Sequence, residues 1–194
     1  MDAYARKVPV ELWWSSLVAA DHGLHRIVDH RERTRAASHD RSADQGRSLV
    51  AAALLRVAVG HRLGVPPLDV RVDRRCPDCG AQHGPPRILG PGAEVPYASV
   101  SHSGVLIVVA LADAPVGVDV QRIADLPDGD AAAAARWVAR EAAYKMGTGA
   151  SPAPVHPVTP PLPGYAAAVA AWGAPDRPPV LRRWPPGLFS PPGG

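Results

Sequence analysis

Asp119 and Gln121 sit in Val116-Gly117-Val118-Asp119-Val120-Gln121, an alternating, β-branched run that predicts a strand. Side chains two apart on a strand share a face, so this carboxylate and this carboxamide form a pair of oxygen donors. Trp137, Glu141 and Lys145 follow at i, i+4 and i+8 in a run that predicts a helix, placing a carboxylate and an ammonium within about 80° of one another. If that helix crosses the strand, Asp119, Gln121 and Glu141 converge as hard oxygen ligands suited to Mg²⁺, which keeps several waters and commonly holds phosphates. Lys145, and His102 in Ser101-His102-Ser103-Gly104, are then left to neutralise phosphate oxygens. An acidic residue in an apolar strand is rarely buried unless paired or bound to a cation, which is an independent argument for metal at Asp119. The plainer reading of Glu141 and Lys145 is a solvated i, i+4 ion pair; Trp137 on their face argues that this face is covered.

The elements that must position these groups can be read in order. Val8 to Trp14 predicts an opening strand, with Pro9 marking an edge or a strand start. Ser15 or Ser16 could cap a helix through about Ala20, and Asp29 one beginning near His30. Asp40 to about Leu63 has the longest helical pattern, with Gly64 as its stop. Pro66-Pro67 breaks the chain, Leu68 to Asp73 alternates as a strand, and Cys76-Pro77-Asp78-Cys79-Gly80 suits a tight turn between strands. That turn is also half of a zinc site with His83 as a third ligand, but the second pair a structural zinc needs does not follow.

Pro91-Gly92 predicts a turn and Tyr97 to Val100 a strand. Val105 to Ala112 is apolar throughout, the pattern of a strand buried on both faces, and Ala114-Pro115 turns it into Val116 to Ile123 as a predicted hairpin. Asp128 or Asp130 caps the helix that ends at Lys145, closed by Gly147 and Gly149. Ser151 to Pro163 reads as an extended loop, Gly164 to Trp172 as a strand, Val180 to Trp184 as an edge strand, and Pro185 to Gly194 as a disordered tail.

A length of 194 residues allows one domain or two small lobes, and a net charge of +3 suits an anionic ligand without arguing for nucleic acid. Lysine occurs only at Lys7 and Lys145 among many arginines, which favours a role for Lys145 that needs a compact point charge. Two cysteines do not make a disulfide framework, and neither a membrane-spanning run nor a secretory leader is seen, so the expected location is the cytoplasm.

The three motifs, in this order, resemble the Sfp-type 4′-phosphopantetheinyl transferases, in the form with a Trp-x-x-x-Glu-x-x-x-Lys helix. The likeness covers about residues 8 to 172 and includes Leu54-Leu55-Arg56, Arg74-x-Cys76-x-x-Cys79-Gly80-x-x-His83-Gly84 and Gly164 to Ala170. It implies an α+β fold of two similar halves, each a small, mainly antiparallel sheet on a long helix, with the active site between them. The halves would be residues 1–103, a coenzyme-binding wall, and 104–184, the metal site and its helix, followed by the tail at 185–194.

The resemblance implies transfer of 4′-phosphopantetheine from coenzyme A to a serine of an apo acyl or peptidyl carrier protein, with Mg²⁺ as cofactor. Asp119, Glu141, Lys145 and His102 would be catalytic, and Asp119, Gln121 and Glu141 would hold the metal. The coenzyme would be contacted by Arg35 at its 3′-phosphate, by Arg47 and Ser48 at the nucleotide, and by Ser101, His102 and Lys145 at the phosphates. Relatives carry a basic residue where this chain has Pro85, and Arg87 could replace it. They also have Glu where this chain has Gln121, and about 20 more residues between the Asp119 and Glu141 motifs, although short connections are common in themselves. A monomer without membrane or nucleic-acid partners is expected.

These departures motivate a second reading, a degenerate relative that binds coenzyme A or a carrier domain without turnover. A third, an Arg-rich nucleic-acid binder using residues 31 to 47, lacks an aromatic stacking platform.

Overall fold

Val10, Leu12 and Trp14 point to one side of the first strand and Trp13 to the other, and both sides are buried. The computed structural model, which describes residues 10–76, 78–90, 95–127, 129–147, 154–172, 179–186 and 188, is a mixed α+β fold. Its helices are α1 (His30–Ala37), α2 (Ser42–Leu63) and α3 (Ala131–Met146). Its strands are β1 (Glu11–Ser16), β2 (Arg71–Asp73), β3 (Arg87–Leu89), β4 (Tyr97–Ser103), β5 (Leu106–Ala112), β6 (Val116–Arg122), β7 (Val155–Val158), β8 (Tyr165–Ala171) and β9 (Val180–Arg183). They form a four-stranded sheet in the order β4-β5-β1-β9, a β2-β3 ribbon, and a three-stranded sheet in the order β6-β8-β7.

One core lies between the first sheet and α2, where Trp13, Ile107, Val109 and Leu111 meet Val50, Leu54, Leu55, Ala58 and Val59. A second lies between the two sheets, where Leu12, Trp14, Leu106 and Val108 meet Val116, Val118, Val120 and Val169. The first sheet is therefore apolar on both faces, as the continuous β5 run requires. The third core is small: Val138, Ala142 and Met146 of α3 rest on Ala168 and Ala170 of β8. Gly117 is what lets α3 approach so closely, because a Cβ there would stand 1.9 Å from the Ala142 carbonyl oxygen.

The helix boundaries follow their caps. Asp29 accepts from the Glu32 backbone N–H while the Glu32 carboxylate accepts from that of Asp29, a capping box that starts α1. Gly64 and Gly147, both left-handed, close α2 and α3, and Asp130 caps α3 through the N–H groups of Ala132 and Ala133. Arg56, only 2% exposed, ties α1 to α2 by donating to Glu32 and Asp29 at 2.6 Å each and to the Val70 carbonyl at 2.7 Å. This fixes α1, and with it the Arg35 that α1 carries.

Several expectations are corrected. Ser16 and Ala20 do stand at the N-cap and C-cap positions, but the helix between them is a 3-10 turn, Leu17–Ala19, and the Ser16 side chain does not cap it. Of the edge or strand start expected near Pro9, the edge is excluded: β1 begins at Glu11 and is interior, because β9 pairs with it in parallel on one side and β5 antiparallel on the other. β5 and β6 are not a hairpin: β5 pairs with β4 across the turn at Gly104, and the chain changes sheet at 113–115. The crossing between the two sheets thus comes after β5. Val155–Val158, read as loop, is the edge strand β7, where Pro157 costs little because an edge residue can spare its N–H. The readings that involve Val8, Pro9, Pro91-Gly92, Asp128, Gly149 and Ser151, and most of the tail, fall outside the described residues.

Candidate active site

β6 presents its valines to the core between the sheets and its other face, Gly117, Asp119 and Gln121, to α3. α3 in turn uses two parallel stripes. Ala134, Val138, Ala142 and Met146 are buried, and the adjoining Trp137, Glu141 and Lys145 run along a cavity of about 550 Å³. That cavity is also lined by Arg35, Ser48 and Arg74 from the first half of the chain, by Ser101 and His102 from β4, and by Asp119 and Gln121 from β6. Strand alternation and helical spacing meet there as the sequence suggests.

Asp119 is 5% exposed, yet its carboxylate is well satisfied. Oδ1 accepts from Lys145 Nζ at 2.6 Å and from Ser101 Oγ at 2.7 Å. The ammonium also reaches the Val118 carbonyl at 3.4 Å. Glu141, half-buried in the same cavity, has no hydrogen-bond or ion-pair partner among the described residues. Gln121 donates its Nε2 to the Arg122 carbonyl at 3.1 Å, leaving its carboxamide oxygen as the atom able to act as a ligand.

Ser101 belongs to a device the sequence reading did not detect. The hydroxyls of Ser99, Ser101 and Ser103 on β4 accept from the backbone N–H groups of Val118, Val120 and Arg122 on β6, at 3.0, 3.3 and 2.9 Å. The outer edge of β6 is thereby satisfied by side chains instead of another strand. The signal was available as serines at every second position of a strand. Ser101 alone of the three also donates to Asp119, so its hydroxyl is engaged on both sides and positions the carboxylate. The side chain also lines the cavity.

The opposite wall is cationic. Burial, and then the neighbouring Arg35, push the Arg74 guanidinium down to about 10, and burial lowers that of Arg35. Arg74 therefore stays protonated at neutral pH, and its Nε is buried without a hydrogen-bond partner among the described residues. Two desolvated cations facing one cavity favour an anion there. His102, at the mouth, has its imidazole held below its ordinary value by desolvation, then by Arg47 and Lys145.

The expected coenzyme contacts are therefore only partly assembled. Arg35, Ser48, Ser101, His102 and Lys145 line the cavity. Arg47 is instead bound to the Gly104 carbonyl at 2.8 Å and to Asp44 at 2.5 Å, locking α2 to the β4-β5 turn. Arg87 is paired with Asp73 at 2.6 Å on the outer ribbon and does not line the cavity. Arg74 does line it; it stands just after β2, and its carbonyl accepts from the Gly84 N–H at 2.7 Å. Arg74 opens the Arg-x-Cys motif, so its type and place were visible, but the fold of the loop was not. Ser38, His39 and His83 are further lining residues that sequence reading did not assign to the site.

The chain matches no protein-family model, and no curated protein is significantly similar to it. The donor set can nevertheless be tested against a divalent cation. Two carboxylates and a carboxamide on one cavity are hard oxygen donors of the kind Mg²⁺ takes, and Glu141 and the second oxygen of Asp119 remain uncommitted to Lys145 or Ser101. The residues fit that ion. Among the described residues, no helix is long and apolar enough to cross a membrane.

Proposed function

We propose that this cavity transfers 4′-phosphopantetheine from coenzyme A to a serine of an apo carrier protein. The observation that carries this reading is the union, in one cavity, of oxygen donors (Asp119, Gln121, Glu141) with the cations Arg35, Arg74 and Lys145 and with His102. A nucleotide pyrophosphate needs both, and so does the charge that develops as it is cleaved. Asp119, Gln121 and Glu141 would hold Mg²⁺, which supplies Lewis-acid stabilisation of the pyrophosphate oxygens.

The serine oxygen attacks the phosphorus next to the pantetheine arm. The phosphorus–oxygen bond to the nucleotide phosphate breaks, and adenosine 3′,5′-bisphosphate leaves with the bonding pair. Glu141, which has no hydrogen-bond or ion-pair partner among the described residues, takes the serine proton on one carboxylate oxygen or passes it to water. Lys145, held by Asp119, and His102 offset charge on the phosphate oxygens, while Arg35 and Arg74 bind the nucleotide end. In this reading α2 with its sheet and α3 with its sheet are two similar halves around a shared crevice, in a monomer working in the cytoplasm.

Gln121 and the short connection before α3 favour one alternative, a protein that binds coenzyme A without turnover. Release of adenosine 3′,5′-bisphosphate, followed chromatographically with coenzyme A, Mg²⁺ and a panel of apo carriers, separates the two. Carrier-dependent release that disappears in Asp119→Ala supports transfer, whereas coenzyme binding with no release from any carrier supports the alternative.

A further inference from the structure

The β2-β3 connection brings Cys76, Cys79 and His83 together outside the oxygen-donor site. Their candidate ligand atoms all lie within 4.8 Å of one another, Cys79 Sγ is 3.0 Å from His83 Nε2, and both cysteines are free thiols. We propose that these three side chains bind one Zn²⁺, with a water as the fourth ligand, and that the ion fixes the loop that carries Arg74 to the cavity wall.

The donor set is two thiolates and one imidazole, which suits Zn²⁺ and does not suit Mg²⁺. Around a tetrahedral zinc, sulfur and nitrogen donors stand about 3.5–3.8 Å apart, so the observed cluster closes on an ion with small side-chain movements. The backbone is already shaped for this. Gly80, at φ 73°, turns the chain so that its N–H donates to the Cys76 carbonyl at 2.9 Å, and the Cys76 N–H donates to Ala81 at 2.7 Å. Asp78 Oδ2 lies 3.9 Å from Cys76 Sγ.

The link to the cavity is short. His83 lines it, and the same loop returns to Arg74 through Gly84 N–H to Arg74 carbonyl at 2.7 Å and Arg74 N–H to Gln82 Oε1 at 3.1 Å. Binding displaces the two thiol protons and leaves the sulfur oxidation state unchanged. This proposal does not depend on the transferase reading, since it is tested by metal content and spectra.

Elemental analysis of full-length protein, prepared with zinc and without chelator, should give about one zinc per chain. Chelation should lower the midpoint of thermal unfolding by about 5 °C or more. Adding Co²⁺ to the reduced, metal-free protein should give a thiolate charge-transfer band with tetrahedral ligand-field bands, and Cys79→Ser or the exposed-site variant His83→Gln should weaken both in a protein whose circular dichroism is unchanged. A fully reduced wild-type chain with negligible zinc and no cobalt charge-transfer band overturns the proposal, as does a Cys76–Cys79 disulfide in protein that fails to take up cobalt after reduction.

Discussion

Lys145 Nζ stands 2.6 Å from Asp119 Oδ1, and Ser101 Oγ donates to the same oxygen from 2.7 Å away. One helix and two strands thus hold a single carboxylate oxygen, and the other oxygen remains for a ligand. Ser99 provides a control, because it makes the same bond to β6, to Val118 N–H at 3.0 Å, without reaching Asp119. Ser99→Ala and Ser101→Ala should each cost about 1–2 kcal/mol by leaving a buried N–H unsatisfied. Only Ser101→Ala should also lower the transfer rate, by roughly tenfold, the size of one lost hydrogen bond on a positioned carboxylate. Denaturant melts beside kinetics on both variants check this, and equal rate losses would show that Ser101 acts through the fold alone.

Gly117 sets the distance between α3 and β6. In Gly117→Ala the new methyl would meet the Ala142 carbonyl oxygen at 1.9 Å and the Met146 nitrogen at 2.7 Å, both backbone atoms. Overpacking against backbone should cost about 3 kcal/mol or more, and α3 should move Glu141 and Lys145 away from Asp119. Chemical denaturation gives the first quantity. A variant as stable as wild type would mean that α3 does not sit as described.

The charge of Arg74 is disfavoured in the free protein. Burial and Arg35 both act against it, and its Nε has no partner among the described residues. Arg74→Gln should leave the unliganded protein as stable or up to about 1 kcal/mol more so. Its affinity for coenzyme A should fall tenfold or more, as expected when a charged donor to phosphate is removed. Calorimetric titration and thermal melts of the same samples test the opposed signs; a variant that melts lower and binds normally would remove Arg74 from the site.

The strand that carries Asp119 was legible because Val116, Val118 and Val120 alternate with Gly117, Asp119 and Gln121, and the cavity stripe of α3 because Trp137, Glu141 and Lys145 recur every four residues. Caps at Asp29, Gly64, Asp130 and Gly147 were legible for the same local reason. Arg74, Arg87 and Arg47 were not, since each is assigned by a partner distant in the chain: Gly84, Asp73 and Gly104. The β5 to β6 link misled because a short turn containing proline favours a hairpin locally, whereas β5 finds longer apolar pairings with β4 and β1. β6 is free to leave that sheet because serine hydroxyls satisfy its edge.

The imidazole of His102 titrates below 6.5, its ordinary value, because of desolvation, Arg47 and Lys145. As pH falls below about 6.5 the unfolded chain takes up a proton at this position that the folded chain does not, so the contribution of neutral His102 to stability is full above that window and lost on descending through it. His102→Gln should therefore flatten the stability profile on the acid side relative to wild type. Urea melts of both proteins from pH 7.5 to pH 5 measure the difference, and parallel profiles would contradict the assignment. A bound phosphate acts the other way, so coenzyme A should bind more tightly as the imidazole becomes charged.

The intact mass of an apo carrier protein after incubation with this chain, coenzyme A and Mg²⁺ tests the central claim most directly. The carrier should gain one phosphopantetheine, the gain should map to a single serine, and it should vanish with Asp119→Ala or when that serine is replaced by alanine. A panel of fatty-acid, polyketide and peptide-synthase carriers left unmodified by protein that binds coenzyme A and Mg²⁺ would contradict it.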